Sequence, residues 1–290
     1  MKKYLLALVL GLLVLSGCKD AVAKVSNPKE TLITIGNQKV TKEEVYEVLN
    51  RQDGFSTIFT DIRNVILEKE VEVTDEIRTA AEAKLEAEKK EYGDDFADYL
   101  EVNGYATEDD YLNQYLIPAE KVSHLAESYI DENWEKVITA YYPTQVQIIE
   151  CDSLEKIKEA QHKLTDGEKF EDVAAAYTLK SDELFDGKTH TVSAADSSKL
   201  TSYITDFLKS ATKEGVSEVI ENSSGSKFYL VNIVSRDVLS YKKAAVDSIK
   251  KSSDITSEMY SHYYKKYGFR TYDISLYNYM KQYYPTYLNQ

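Results

Sequence analysis

Short apolar runs alternate along this chain with longer stretches whose apolar residues have helical spacing. The run Val146–Ile149 predicts a strand, and Phe228–Val234 is the most β-like run in the sequence. Between them, two stripes of helical period predict two helices, the first ended by Asp166 and Gly167. A strand, several helices and a returning strand predict a small α/β unit over residues 144–236, about the size at which a core becomes self-sufficient.

The region before this unit has a mainly helical pattern. Leu32 to Val40 predicts a strand, a turn and a short return strand, followed by a helix capped by Thr41. One apolar stripe predicts the buried face of a second helix: Ile58, Phe59, Ile62, Val65 and Ile66. A charged helix is predicted to start at Thr74 and run to about Glu91.

A further helix is predicted to open at Thr107, where Thr107-Glu108-Asp109-Asp110 has the character of a capping box, and Pro118 should kink or restart it. After Val238 the pattern predicts a helix, then a second helix that Gly268 ends, a strand over Phe269–Ile274 and a last helix over Tyr277–Tyr284. This tail has too few apolar positions to fold alone.

The first residues have the pattern of a secretory signal peptide over residues 1–17. Two lysines precede the apolar run Tyr4–Leu15, which is too short to cross a bilayer as a stable helix. The run closes on Leu-Ser-Gly-Cys18, which resembles the bacterial lipobox, and that resemblance implies a lipid on Cys18. Residues 18–30 are then predicted to be the lipidated cysteine and a polar tether.

The net charge argues against two classes of partner, and the cysteine content argues against a disulfide bond. The chain has 35 basic and 49 acidic residues, a formal net charge of −14, which argues against nucleic acid and against anionic lipid as electrostatic partners. Only Cys151 remains beside Cys18, so no disulfide is expected within the exported protein. The four histidines are scattered, and neither a metal site nor a cofactor is expected.

Two segments of the α/β unit resemble parvulin-type peptidyl-prolyl isomerase domains. Gly167–Ala174 followed by Tyr177-Thr178 resembles their "GEKFEDLA…YS" segment, and Glu214–Ile220 resembles the "GEIS-PV" turn before the last strands. Val73–Ile77 and Tyr92–Tyr111 resemble the N-terminal chaperone domain of the PrsA and SurA foldases. The order of lipobox, chaperone-like and parvulin-like segments covers most of the chain.

The resemblance implies an α+β fold with one domain inserted into another. Residues 31–143 and 237–290 would form a mainly helical chaperone domain, and residues 144–236 a small parvulin-like α/β domain inserted in it. The PrsA family includes dimers, so a homodimer stays open.

The isomerase site of the parvulin family is matched poorly by this sequence. The two catalytic histidines fall at Gln147 and Tyr229, the nearby Cys or Asp falls near Lys180, and the glycine-rich segment survives only as a trace at Asp186-Gly187. The shelf for the proline ring would fall at three apolar residues, Leu200, Ile204 and Phe207. Loss of the reactive groups predicts a degenerate site, and whether the chain is an enzyme stays open.

The resulting functional hypothesis is a lipid-anchored foldase on the outer face of a bacterial cell membrane, which holds unfolded secreted polypeptides. The predicted contact residues are Phe55, Phe59, Tyr115 and Tyr264, and the tyrosine-rich tail would either line their groove or pack the joint with the N-terminal helices. Two alternatives remain: an isomerase with a site rewired around Gln147 and Tyr229, and a surface adhesin or envelope scaffold.

Overall fold

The computed structural model describes residues 25–49, 54–179 and 183–288. These residues form a mainly helical α+β protein with a two-stranded and a five-stranded antiparallel sheet, and the predicted fold class is confirmed. Contacts along the chain divide it into two compact units. The first contains the described residues of Met1–Val122 and Glu258–Gln290, and the second is Ser123–Ser257.

The first unit begins with the predicted hairpin, β1 (Thr31–Ile35) and β2 (Gln38–Thr41), and helix α1 (Lys42–Leu49). Thr41 starts α1 as predicted, because its hydroxyl accepts a hydrogen bond from the Glu44 amide while the Glu44 carboxylate accepts one from the Thr41 amide at 2.7 Å. Helix α2 is Phe55–Glu70. It buries Phe59, Ile66 and Leu67 but leaves Val65 exposed, so the predicted apolar stripe was only partly correct.

Helices α3 (Asp75–Tyr92), α4 (Phe96–Val102) and α5 (Glu108–Tyr111) follow, and Thr74 and Thr107 cap α3 and α5 as predicted. A π-helical turn at Leu112–Leu116 separates α5 from α6 (Ile117–Glu132). Pro118 is the second residue of α6 and directly follows the π-helical turn, so the helix changes its hydrogen-bond register at the place where the sequence predicted a kink or restart. One apolar core joins α3, α4 and the turn, with Ile77, Ala81, Phe96, Tyr111 and Leu116 at its centre.

The tail of the first unit contains the end of α12 (Ser253–Lys266) and α13 (Ile274–Tyr283). Gly268 follows α12 with φ +61°, the left-handed conformation that favours glycine at a helix end. The predicted strand Phe269–Ile274 was wrong. Residues 269–273 form no strand, and the Asp273 side chain instead caps α13 by accepting a hydrogen bond from the Leu276 amide at 2.8 Å.

The second unit is built on the central strands β3 (Thr144–Cys151) and β7 (Phe228–Ser235), the two strands that the apolar runs predicted. They pair antiparallel, and three short strands complete the sheet: β4 (His190–Val192), β5 (Gly215–Val216) and β6 (Ile220–Glu221). Helices α8 (Leu154–Thr165) and α9 (Phe170–Tyr177) cover one face. Helix α10 (Ser202–Ser210), which the apolar pattern did not predict, packs on the other face.

Two helices that flank the sheet in sequence also belong to the second unit, α7 (Trp134–Tyr141) and α11 (Lys242–Ile249). The buried Ser248 hydroxyl of α11 lies 2.8 Å from Ser193 Oγ and 2.8 Å from a carboxylate oxygen of Asp196, which fixes α11 to the turn after β4. Within residues 25–49, 54–179 and 183–288, no helix combines the length and apolar composition that crossing a bilayer requires.

Candidate functional site

The candidate site is the face of the five-stranded sheet that helix α10 covers, because Tyr229 and the predicted proline shelf both lie there. Alternate residues of a strand point to opposite faces of its sheet. Val146 and Ile148 of β3 lie in one core with Tyr229 and Val231 of β7. Ile149, Cys151, Phe228 and Leu230 lie in the other core, under α8 and α9.

Gln147 and Tyr229 are therefore on opposite faces of the sheet. Gln147 pairs with Asn232 across the two strands, and its amide oxygen accepts a hydrogen bond from the Asn232 amide at 2.8 Å. Together with Leu164, Phe170 and Val216, these two amides line a groove of about 540 Å³ on the α8–α9 face. The structure does not bring Gln147 and Tyr229 together, so they cannot act on one bond.

Tyr229 is fully buried. Its ring packs with Phe185 at a centroid distance of 6.1 Å and with Leu200 and Ile204 in the same core. Its hydroxyl is buried beside the Glu150 carboxylate and the Thr201 hydroxyl, without a well-formed hydrogen bond to either. Burial, and after it the negative charge of Glu150, raises the pKa of Tyr229 to about 12. At neutral pH this phenol stays protonated, so it could donate a hydrogen bond but could not act as a base.

Glu150, a residue that no motif identified, lies opposite Tyr229 in the sheet register. Its side chain is 2% exposed and forms an ion pair with Lys227 Nζ at 2.8 Å. The Glu150 amide donates to the Thr178 hydroxyl, and the Glu150 carbonyl accepts from the Leu179 amide at 2.9 Å. The strand period could have identified this residue, since Glu150 continues the buried series of Val146 and Ile148.

The predicted proline shelf belongs largely to the core. Leu200 and Ile204 are 3% and 0% exposed and pack against the sheet, while Phe207 is half-buried on α10. In the structure Leu200 and Ile204 are covered, so their role as a shelf for a proline ring stays a prediction. Lys180, the predicted counterpart of the Cys or Asp, lies outside the described residues, as does Cys18.

The predicted contact residues of the first unit are divided between surface and interior. Tyr115 is exposed and Phe55 half-buried, whereas Phe59 and Tyr264 are buried, so those two do not offer a free surface. Burial, opposed by the positive charge of Arg63, raises the pKa of Tyr264 to about 12. Both buried residues are part of a packed aromatic layer.

This aromatic layer joins the tail to α2. The Phe55 ring lies 5.0 Å from Tyr279, Phe59 lies 5.1 Å from Tyr284, and the Arg63 guanidinium lies 4.8 Å from the centre of the Tyr260 ring. The tail's tyrosines that contact α2 therefore pack the joint between the tail and the N-terminal helices. This is the second of the two roles predicted for them. No group of three His, Cys, Asp or Glu side chains in the described parts of the chain is arranged to hold a metal ion.

No family model matches this sequence. The chain is similar to the foldase protein PrsA 2 of Listeria monocytogenes, with 30% identity over 143 residues, 48% of this chain and 47% of the relative. It is also similar to the foldase protein PrsA 2 of Bacillus cereus, with 25% identity over 174 residues, 59% of this chain and 56% of the relative. The matches thus span about half the length of these curated relatives.

Solved structures with a similar chain path include the foldase protein PrsA of Streptococcus pneumoniae. The TM-score is 0.45 at 19% identity, over 87% of this chain and 99% of that one. For the peptidylprolyl isomerase PrsA of Bacillus cereus the TM-score is 0.43 at 18% identity, over 88% and 98% of the two chains. The resemblance to PrsA-type foldases that the motifs predicted is confirmed by the curated relatives.

Proposed function

We propose that this chain is an extracytoplasmic foldase that assists the folding of secreted proteins by holding them while they are unfolded. The observation that carries this proposal is the similarity to the PrsA 2 foldase over 143 residues at 30% identity. The curated relatives are matched over about half their length, so the activity of the whole protein is an inference.

The distribution of exposed apolar side chains supports binding of unfolded chains by the first unit. Among the described residues, fifteen of the nineteen exposed large apolar or aromatic side chains lie in that unit. Exposed apolar surface of this kind contacts the apolar segments that an unfolded client has not yet buried. Weak binding there lowers the concentration of free unfolded chain and slows aggregation without any chemical step.

Attachment to the membrane is part of the proposal and rests on the sequence alone. The lipobox-like Leu-Ser-Gly-Cys18 supports lipidation of Cys18 and a position on the outer face of the bacterial cell membrane. The tether 18–30 would then connect the lipid to the chaperone domain of residues 31–143 and 237–290, with the parvulin-like residues 144–236 inserted. A homodimer is compatible with this arrangement.

Holding is favoured over isomerase chemistry by the geometry of the sheet. Gln147 and Tyr229 lie on opposite faces, and the two most buried shelf residues, Leu200 and Ile204, fill the core under α10. An X-Pro isomerase stabilises a twisted amide whose rotation barrier is about 20 kcal/mol, which requires groups that converge on one bond. The described residues do not provide that convergence around Gln147 and Tyr229.

Light scattering of an unfolding client tests the proposal directly. The soluble form, residues 19–290, should suppress aggregation of several unrelated clients in a dose-dependent way, and no suppression of any client would refute it. Acceleration of a proline-limited refolding reaction that Gln147→Ala or Tyr229→Phe abolishes would instead establish the isomerase. A surface adhesin would bind one partner tightly and leave client aggregation unchanged.

A further inference from the structure

A series of contacting aromatic rings runs through the first unit and ends at Tyr115, one of the predicted contact residues. We call Tyr92, Tyr99, Tyr111 and Tyr115 the tyrosine ladder. The Tyr92 and Tyr99 rings stack with centroids 4.6 Å apart and an interplanar angle of 22°. Tyr99 meets Tyr111 edge-on at 5.9 Å, and Tyr111 stacks on Tyr115 at 5.2 Å and 14°.

Both end rings of the ladder are open to solvent. Tyr92 is 41% exposed and Tyr115 is 49% exposed, whereas Tyr111 between them is buried. Each end ring stacks on its neighbour in the ladder, and a second ring lies near each at a tilt, Phe96 at 6.3 Å from Tyr92 and Tyr105 at 6.4 Å from Tyr115. A helical surface with no binding role would more commonly place charged side chains at these positions.

The ladder is held rigidly around a carboxylate. Glu88 lies one helical turn before Tyr92 on α3, and its Oε2 accepts a hydrogen bond from the Tyr111 hydroxyl at 2.8 Å. The hydroxyl oxygens of Tyr99 and Tyr111 lie 3.3 Å apart. Burial, followed by these hydrogen bonds, raises the pKa of Tyr111, so its hydroxyl remains a donor to Glu88. A negative charge is therefore fixed among the rings.

The segment of sequence that carries the ladder is strongly acidic. Residues 75–115 contain thirteen acidic and four basic residues. Two of these basic residues are already paired, Lys84 with Glu120 and Lys89 with both Glu86 and Glu108. The face of an aromatic ring is itself negative, so an exposed tyrosine on a segment with an excess of carboxylates attracts cations more strongly than either feature alone.

We propose that the tyrosine ladder binds the arginine and lysine side chains of unfolded polypeptides. The inference rests on the proposed function, because it names the client segments that the first unit prefers. A guanidinium is planar and weakly hydrated, so it can stack on the outer face of Tyr92 or Tyr115 while the nearby carboxylates offset its charge. Arginine should therefore bind better than lysine.

A pair of short peptides tests the proposal with the soluble full chain, residues 19–290. One peptide alternates arginine with serine, and its twin has citrulline, a neutral isostere, at every arginine. Fluorescence anisotropy should give tighter binding of the arginine peptide. Tyr92→Leu and Tyr115→Leu should each weaken binding of the arginine peptide about two- to fivefold, the factor expected for one exposed cation–π contact, and leave the citrulline peptide unchanged.

Three further variants separate the ladder from general charge attraction. Tyr92→Phe keeps the aromatic face and should retain the affinity, whereas Glu88→Gln removes the fixed charge with little change of shape and should weaken it. Tyr272→Leu removes a tyrosine of similar exposure elsewhere in the unit and should have no effect. Equal affinity for the two peptides, or unchanged affinity in Tyr92→Leu, Tyr115→Leu and Glu88→Gln, would overturn the inference.

Failure of this inference is distinguishable from failure of the proposed function. Suppression of aggregation for basic and acidic clients alike, with no loss in the ladder variants, would refute the ladder as a docking site and leave the foldase intact. Peptide binding that follows the predicted pattern without any suppression of aggregation would support the ladder and refute the foldase. Circular dichroism melts of each variant report whether its fold is retained.

Discussion

Substitution of Gly187 by alanine should strongly destabilise the second unit. Gly187 lies in the turn before β4 with φ +77°, and a Cβ atom there would be 2.2 Å from the Cβ of Ala174 on α9. The left-handed backbone costs an alanine about 1–2 kcal/mol, and the steric overlap about 1–3 kcal/mol more, because α9 and the turn must separate. The free energy of unfolding should fall by about 2–5 kcal/mol in total.

A second glycine provides a matched control for the backbone contribution. Gly167 has φ +92°, but nothing lies within 4 Å of a Cβ built there. Gly167→Ala should therefore cost only the backbone contribution, about 1–2 kcal/mol. Trp134 is the single tryptophan and belongs to the second unit, so its fluorescence during denaturant unfolding reports the stability of that unit.

The double variant Gly187→Ala/Ala174→Gly tests the contact itself. Ala174→Gly alone should cost about 1 kcal/mol in helix propensity, but in the double variant it also removes the atom that Cβ of residue 187 would strike. The two changes should therefore couple by about 1–3 kcal/mol, which makes the double variant more stable than additivity predicts. Additive losses, or a Gly187→Ala cost equal to that of Gly167→Ala, would refute the steric explanation.

Two further substitutions probe buried hydroxyls of the second unit by the same fluorescence assay. Tyr241→Phe leaves the carbonyls of Pro143 and Ser235 without the donor that now lies 3.1 and 3.2 Å away, and should cost about 1–3 kcal/mol. Unchanged stability would contradict this. Tyr229→Phe removes a buried hydroxyl that has no well-formed hydrogen bond, and should be neutral or stabilising by about 1 kcal/mol at neutral pH. The raised pKa of Tyr229 makes the stability depend on pH, because between pH 10 and 12 the unfolded chain releases this proton and the folded chain retains it. The stability that this difference contributes is fully present below pH 10. It falls by about 1.4 kcal/mol per pH unit as the pH rises to about 12. Tyr229→Phe should flatten this decline, and an identical decline in both proteins would refute the assignment.

Local sequence signals predicted the helices with clear caps and the two long strands. Thr74 and Thr107 cap helices, because a side-chain acceptor satisfies free amides within the same turn. The strand predicted at Phe269–Ile274 failed for the complementary reason. Its β-branched and aromatic residues favour a strand only beside a pairing partner, and in the structure residues 269–273 pair with no strand.

The amino-acid composition does not indicate which tyrosines are buried and which are exposed. Tyr264 and Tyr115 have the same chemistry and were predicted to share one role, yet Tyr264 packs against Tyr287 at 4.8 Å inside the unit while Tyr115 ends the tyrosine ladder at its surface. Which rings are covered depends on contacts between segments far apart in the chain, and a single sequence does not specify those contacts.

The motif match identified individual residues of the candidate site but not the faces of the sheet on which they lie. The motifs assigned Gln147 and Tyr229 to the correct strands, but the face on which a strand residue lies depends on parity, and a shift of one residue reverses it. The regular register from Val146 to Cys151 pairs Gln147 with Asn232 and Glu150 with Tyr229. This register depends on hydrogen bonds between strands about eighty residues apart in the sequence. In this register the residue opposite Tyr229 is Glu150. Its buried carboxylate is therefore the first candidate for chemistry on this face that differs from that of the parvulin family.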